Sequence, residues 1–249
     1  LKAEIITPVQ MNIFLSEIDS RDRQNLFLFH VLKVLGLRAS EAANLMIDTS
    51  CLTRDVLYKM DFFEAGEYLK EHLRGDIEFV KGIGKWVCNV VNRNTEETPI
   101  NNRNKTGDRE IPLVFSQDEF TSLLLNALRE RDLYMRKYQR VHNYIFISKR
   151  SSHLGKRINS PSVLSKYRNL AEKMFKNNKL DLTMYSPHTF RHYFATYLLR
   201  VMKKDIEDVQ RWLGHSDVEI TRGTYSHYLH DDNAPIDIVR DMSDTFRSI

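Results

Sequence analysis

Cysteine is scarce. Cys51 and Cys88 are the two in 249 residues, too few for a disulfide framework, and they point to a reducing compartment. No apolar run approaches the ~20 residues that span a bilayer, and the opening residues do not read as a signal peptide. The expectation is a cytoplasmic chain with no membrane partner. Internal repeats and low-complexity runs are also missing. Five histidines gather late in the chain, at His188, His192, His215, His227 and His230. They come without thiolates or carboxylates at zinc spacing, so no metal is expected among them.

Charge of one sign is in short supply overall. The net +4 is too small by itself to argue for a polyanionic partner, but its distribution is uneven. Residues 151–180 hold Lys156, Arg157, Lys166, Arg168, Lys173, Lys176 and Lys179 against Glu172, a net +6. Such a block fits a surface that follows phosphates, although alone it reads first as a solvated helix face. Residues 231–249 run the other way, with Asp231, Asp232, Asp237, Asp241 and Asp244 against Arg240 and Arg247, a net −3. Hydrophobic content of 42% and charged content of 28% are ordinary for a soluble globular chain. The length permits one large domain or two small ones, with a substantial core.

What is present concentrates between Ser186 and Tyr228. Ser186-Pro187 reads as a helix entry, serine as cap and proline in the first turn. On the helix that follows, His188, Arg191 and His192 stand at i, i+3 and i+4 and share a face. Phe190, Phe194, Tyr197 and Leu198 recur on another face that can be buried. Trp212-Leu213-Gly214-His215 reads as a helix stop at glycine followed by an imidazole on a turn. Tyr225 follows on a segment without strong periodicity. Arginine binds phosphate with a planar fork, and imidazole can donate to a phosphoryl oxygen or move a proton. A tyrosine hydroxyl, with a free pKa of about 10, needs a base or positive charge beside it to attack. Together the set suits attack of a phenolate on a phosphodiester. Separately, a His-x-x-Arg pair is usually a surface feature and Leu-Gly-His usually a helix end.

Upstream, Ile6-Thr7-Pro8 starts a helix whose apolar residues are Met11, Phe14, Leu15 and Ile18. A second helix runs from about Asn25 to Leu35 and breaks at Gly36. A third starts at Ala39 or Ser40, which leaves Arg38 in the preceding turn and Glu41 in the first turn, where a carboxylate favours the helix dipole. Residues 62–73 read as helical. Lys105-Thr-Gly-Asp108 reads as a turn into a strand that includes Ile111, with Val80–Lys85 as a rival lysine-bearing turn. A helix over Ser116–Arg140, a short buried strand at Tyr144–Ile147, and a helix from Ser160 to about Asn177 complete the reading.

His188-Thr-Phe-Arg-His-Tyr-Phe-Ala-Thr, Leu213-Gly-His-Ser and Tyr225-Ser-His, in this order, resemble the tyrosine recombinase (phage integrase) family; so does Gly36-Leu-Arg-Ala-Ser-Glu41. The resemblance runs from about residue 6 to 230. It implies a mixed α+β, mainly helical catalytic domain with a small antiparallel sheet, spanning 1–249, with extra material at about 50–104. The N-terminal DNA-clamping domain common in the family is not recognised, and a fragment is expected. By the same resemblance, double-stranded DNA is the partner, a homo-tetramer assembles on it, and the setting is bacterial and nucleoid-associated. Ile236, Ile238, Val239 and Met242 would form the apolar side of a tail helix that docks on a neighbour or in cis.

The implied reaction is site-specific recombination for integration or excision of a mobile element, without metal, ATP or other cofactor. Tyr225 would attack the phosphodiester, Arg38 and Arg191 neutralise its oxygens, and His215 donate a hydrogen bond. Lys105 would protonate the leaving 5′-oxygen, His188 would assist proton removal from the tyrosine, and Glu41 would support Arg38. The interval from His215 to Tyr225 is one residue longer than usual for the family, which leaves Tyr228 and Tyr193 as competitors. A type IB topoisomerase-like activity and a non-catalytic DNA-binding module are the alternatives.

Overall fold

The computed structural model describes residues 6–93 and 107–230, the last five by backbone alone. Helix α1 (Pro8–Ser16) starts with proline in its first turn. Thr7 Oγ1 accepts from Gln10 N at 3.2 Å, and Gln10 Oε1 accepts from Thr7 N at 2.9 Å. This reciprocal cap satisfies two amides that the helix cannot. Helix α2 (Arg23–Leu35) is the axis of the fold. Every residue from Phe27 to Leu37 is buried, as its nearly unbroken apolar run requires. It packs against α6 (Gln117–Lys137) and α8 (His188–Arg200). Phe14, Phe29 and Phe190 meet there at ring centroid distances of 5.2–5.7 Å, and Tyr167 from α7 (Ser160–Lys176) stacks on Phe14.

Between α2 and α6 the chain forms α3 (Ala39–Ala43), α4 (Arg54–Tyr58), α5 (Phe62–His72) and a three-stranded antiparallel sheet. Strand β2 (Lys85–Val90) is central, between β1 (Ile77–Val80) and β3 (Arg109–Pro112). In β2–β3 the register pairs Cys88 with Ile111 and Val90 with Arg109. The rival lysine-bearing turn at Val80–Lys85 is therefore the β1–β2 hairpin, with Gly84 at φ +62°. Residues 50–90, read as extra material, supply two of the three strands and a helix, α5, against α6. After α8 come α9 (Ile206–Leu213) and α10 (Val218–His230). A mainly helical fold with a small antiparallel sheet is thus observed. No helix among the described residues is long and apolar enough to cross a membrane.

Three local expectations are corrected. Tyr144–Ile147 is not a strand: Met46–Tyr144 and Ile147–Arg157 form isolated bridges, because no neighbouring run is extended enough to continue the ladder. Ser186 does not sit at the cap position, which Pro187 occupies in helical geometry; Ser186 Oγ accepts from His188 N at 3.3 Å from one residue farther out. The segment around Tyr225 is helical, although its sequence lacks a strong apolar period. Lys105 and the acidic tail at 231–249 lie outside the described residues.

Gly36 links the axial helix to the site. It closes α2 in the left-handed region at φ +60°, and a Cβ there would lie 2.3 Å from Phe194 Cδ1. A left-handed non-glycine residue costs about 1–2 kcal/mol, and overpacking a filled core costs about 1–3 kcal/mol. Gly36→Ala should therefore lower unfolding free energy by about 2–4 kcal/mol in urea titration, whereas alanine at open Gly82 should change it little.

Candidate active site

The site is organised by a carboxylate. Glu41, on the third position of α3, has a fully buried side chain. Its Oε2 accepts from Arg38 N at 2.8 Å, and Oε1 from Arg38 Nη1 at 3.2 Å. From β3, Arg109 donates a fork, Nη1 to Oε1 at 3.1 Å and Nη2 to Oε2 at 2.9 Å. Burial pushes the Glu41 carboxyl up, but the charges of Arg109 and Arg191 and the donated hydrogen bonds outweigh it and hold it at about 2. Glu41 is an anion throughout the physiological range.

Two arginines then grip the end of α9. Arg109 Nε donates to Trp212 O at 2.8 Å, and Arg191 Nη2 donates to Leu213 O. Arg191 Nη1 reaches Gly36 O at 3.0 Å, so one guanidinium spans the carbonyl ends of α2 and α9, where the helix dipole favours a cation. Arg191 is 1% exposed, and burial, then the charge of Arg38, lowers its pKa to about 9. It stays charged at neutral pH.

Beyond Leu213, Gly214 turns at φ +67° with Arg109 packed so close that a Cβ would meet its side chain at 3.0 Å. The turn delivers His215. Gln210 Nε2 donates to His215 O at 2.8 Å, and His215 Nδ1 lies 2.8 Å from Thr221 Oγ1. Burial, then the cations Arg191 and Arg38, pull the His215 pKa down to about 4. Four residues past Thr221 on α10, on the same face, Tyr225 is 1% exposed with its hydroxyl 2.8 Å from His192 Nδ1. His192 and His188 meet edge-on at 4.9 Å. His188 lies exposed at the rim. The protein packed beneath it, then the charges of His192, Arg191 and Arg38, lower its pKa to about 4.

The fold thus gathers Arg38, His188, Arg191, His215 and Tyr225 from α3, α8, the turn after α9, and α10. Lys105 is the sixth expected residue and lies outside the described chain. Arg38, Arg109 and His215 line one open cleft of about 660 Å³, with Arg211 at its mouth. Three guanidiniums against one carboxylate leave excess positive charge that an anion such as a phosphate would balance. Of the competing tyrosines, Tyr193 is buried in the core and its pKa is pushed up by that burial; the Tyr228 side chain is not among those described.

Sequence reasoning gave no role to Arg109, His192, Gln210 or Thr221. Arg109 had a usable signal, since it alternates with Ile111 on β3 and so shares the inward face. Its buried partnership with Glu41 predicts a pH-dependent stability. The folded carboxyl near 2 lies below the free value of about 4.3. The stabilisation is therefore complete above the unfolded pKa and vanishes as pH falls toward 2, and it amounts to about 3 kcal/mol. Urea titrations should show Glu41→Gln less stable by about that much at pH 7, with the gap closing between pH 5 and 2.

This arrangement has relatives. The sequence pattern of the phage integrase family matches residues 4–232. Transposase A from transposon Tn554 of Staphylococcus aureus is 28% identical over 214 residues, which cover 85% of this chain and 54% of that one. A tyrosine recombinase of Agathobacter rectalis is 37% identical over 108 residues, 43% of this chain and 31% of that one. The chain spans about half the length, or less, of these curated relatives. Among solved structures, XerA recombinase aligns over 99% of this chain and 66% of its own at 20% identity, with a TM-score of 0.55. The Tn1549 transposon integrase, solved in complex with transposon right end DNA, aligns over 98% and 66% at 20% identity, with a TM-score of 0.57. At that identity the two establish a shared fold. Matched along most of its length, the chain belongs to the phage integrase family.

Proposed function

We propose that this chain is the catalytic part of a site-specific DNA recombinase that breaks and rejoins strands through a phosphotyrosyl ester on Tyr225, for integration or excision of a mobile element. One observation carries the reading: a tyrosine hydroxyl, two arginines and a turn-borne imidazole meet beside a cleft with excess positive charge. Relatives named as a transposase and a tyrosine recombinase, and a fold shared with an integrase solved on transposon-end DNA, support it.

In this scheme DNA enters with a phosphodiester in the cleft. Arg38 and Arg191 take its non-bridging oxygens and stabilise the charge that grows in the transition state. His215, held by Thr221 and neutral at pH 7, adds a hydrogen bond. Tyr225 Oη attacks phosphorus and the 5′-oxygen leaves, protonated by Lys105 as the family resemblance implies. A 5′-hydroxyl from another strand reverses the step. One phosphate ester is exchanged for another, so ATP is not needed, and the guanidiniums supply the charge a metal would otherwise bring. Four copies on two duplexes would complete an exchange.

The test uses a randomised library of nicked duplexes, whose short 5′-hydroxyl fragment diffuses away after cleavage and traps the adduct. Wild-type protein should carry covalent DNA on the peptide containing Tyr225, and Tyr225→Phe should carry none. Arg38→Ala should form the adduct ~10²–10³ more slowly, by analogy with lost oxyanion donors. Joining of the trapped strand to a second labelled duplex marks a recombinase; relaxation of supercoiled DNA without joining marks a topoisomerase-like enzyme. An adduct that persists in Tyr225→Phe would exclude Tyr225 as nucleophile.

A further inference from the structure

The Tyr225 hydroxyl meets a base, and it is not the histidine that the resemblance suggests. Its oxygen lies 2.8 Å from His192 Nδ1, across the packing of α10 on α8. His188 stands one turn earlier, exposed at the rim beside the cations Arg38 and Arg191. We propose that His192, rather than His188, is the catalytic base that takes the proton from Tyr225 during strand cleavage and returns it during rejoining. This rests on the phosphotyrosyl reading above.

Three observations support the assignment. First, the phenol is sealed: Tyr225 is 1% exposed, so bulk water has little access to its proton and a protein group must accept it. A phenol with a free pKa of about 10 is almost wholly protonated at neutral pH, and its attack needs that acceptor. Second, His192 is only partly buried, so a proton taken from the sealed hydroxyl has an outlet toward solvent. Third, the charged and titratable groups around His192 favour a neutral ring. Burial, then the Arg191 guanidinium, lowers its pKa. His188, edge-on at 4.9 Å, has a pKa of about 4 and adds no positive charge at pH 7. A neutral imidazole with Nδ1 unprotonated accepts from the phenol.

The step balances. As the Oη–P bond forms and the P–O5′ bond breaks, the Oη proton moves to His192 Nδ1. The 5′-oxygen takes its proton from a separate acid, Lys105 in the scheme above. In rejoining, the incoming 5′-hydroxyl gives its proton to that acid's conjugate base, and the His192 imidazolium reprotonates Oη as the phosphotyrosyl bond breaks. Arg191 is adjacent in sequence to His192, so the residue that braces α2 and α9 also sets the protonation state of the base.

The experiment separates a base from a structural contact. His192→Asn keeps a hydrogen-bond acceptor of similar reach but cannot hold the proton; His192→Ala removes both. Each is assayed in two reactions on a duplex selected by adduct trapping. The first is cleavage to the adduct. The second is ligation of a DNA 3′-p-nitrophenyl phosphate to a 5′-hydroxyl strand, which uses the phosphate-binding groups but no tyrosine nucleophile. Both variants should lose ~10²–10⁴ in adduct formation, the range for a general base, with ligation within about twofold of wild type. Wild-type adduct rates in His192→Asn would overturn the assignment, leaving a hydrogen-bond anchor. Parallel loss of both reactions would overturn it in favour of a structural role. Both outcomes leave the phosphotyrosyl reading standing if wild type is trapped at Tyr225; absence of any wild-type adduct overturns both.

Discussion

A buried carboxylate with no solvent to share it holds the site together. Glu41 receives the Arg109 fork on one side and the backbone and guanidinium of Arg38 on the other. Removing an ion from water is expensive, and such a pair is sustained only where every lone pair finds a donor. Here the donors come from α3 and from β3, elements 68 residues apart in the chain. Without the anion, Arg38, Arg109 and Arg191 would face one another in a poorly screened interior, where like charges repel far more strongly than in water. The cluster of cations is therefore a property of Glu41 as much as of the arginines.

From that anchor the site is wired to backbone rather than to mobile side chains. Arg109 holds Glu41 and also the Trp212 carbonyl, while Arg191 holds the carbonyls of Gly36 and Leu213. The end of α9 is consequently fixed to the sheet and to the axial helix at once. Gly214 is required at the exit for two reasons, its left-handed φ and the closeness of Arg109. His215 is then positioned by the same arginines whose charge lowers its pKa. Geometry and electrostatics share their causes here, which makes the arrangement pre-organised.

Much of this was legible in the sequence, for reasons that differ by element. The stripe Phe120, Leu124, Leu128 forecast α6, and Gly36-Leu-Arg forecast a helix end followed by a helix start, because local propensity and tertiary burial agree at those places. Tyr144–Ile147 misled because a short β-branched and aromatic run reads as a strand whether or not a partner strand lies beside it. The helix bearing Tyr225 was obscured for the opposite reason. Its inward residues include Thr221, which is buried for the sake of His215 and contributes no hydrophobic signal. Arg109 and His192 went unassigned because their partners are distant in sequence, 68 and 33 residues away. A charged or titratable residue acquires a role from what faces it, and one strand or helix does not reveal that.

Helix α8 shows how one segment supplies both anchor and chemistry. From Thr189 to Arg200 every residue but His192 is buried, so the helix has almost no freedom to shift. Its imidazoles and guanidinium inherit that rigidity. The same burial divides the labour between residue types. Arg191, lowered to about 9, remains a cation at pH 7, while His188 and His215, near 4, are neutral beside it. Permanent positive charge thus resides on guanidiniums suited to a phosphate's oxygens, and the imidazoles are left free to donate, accept and carry protons. Had burial been shallower, the histidines would approach their free pKa of about 6.5 and be partly charged at neutral pH. They would then compete with the arginines for the anion and lose their value as proton acceptors.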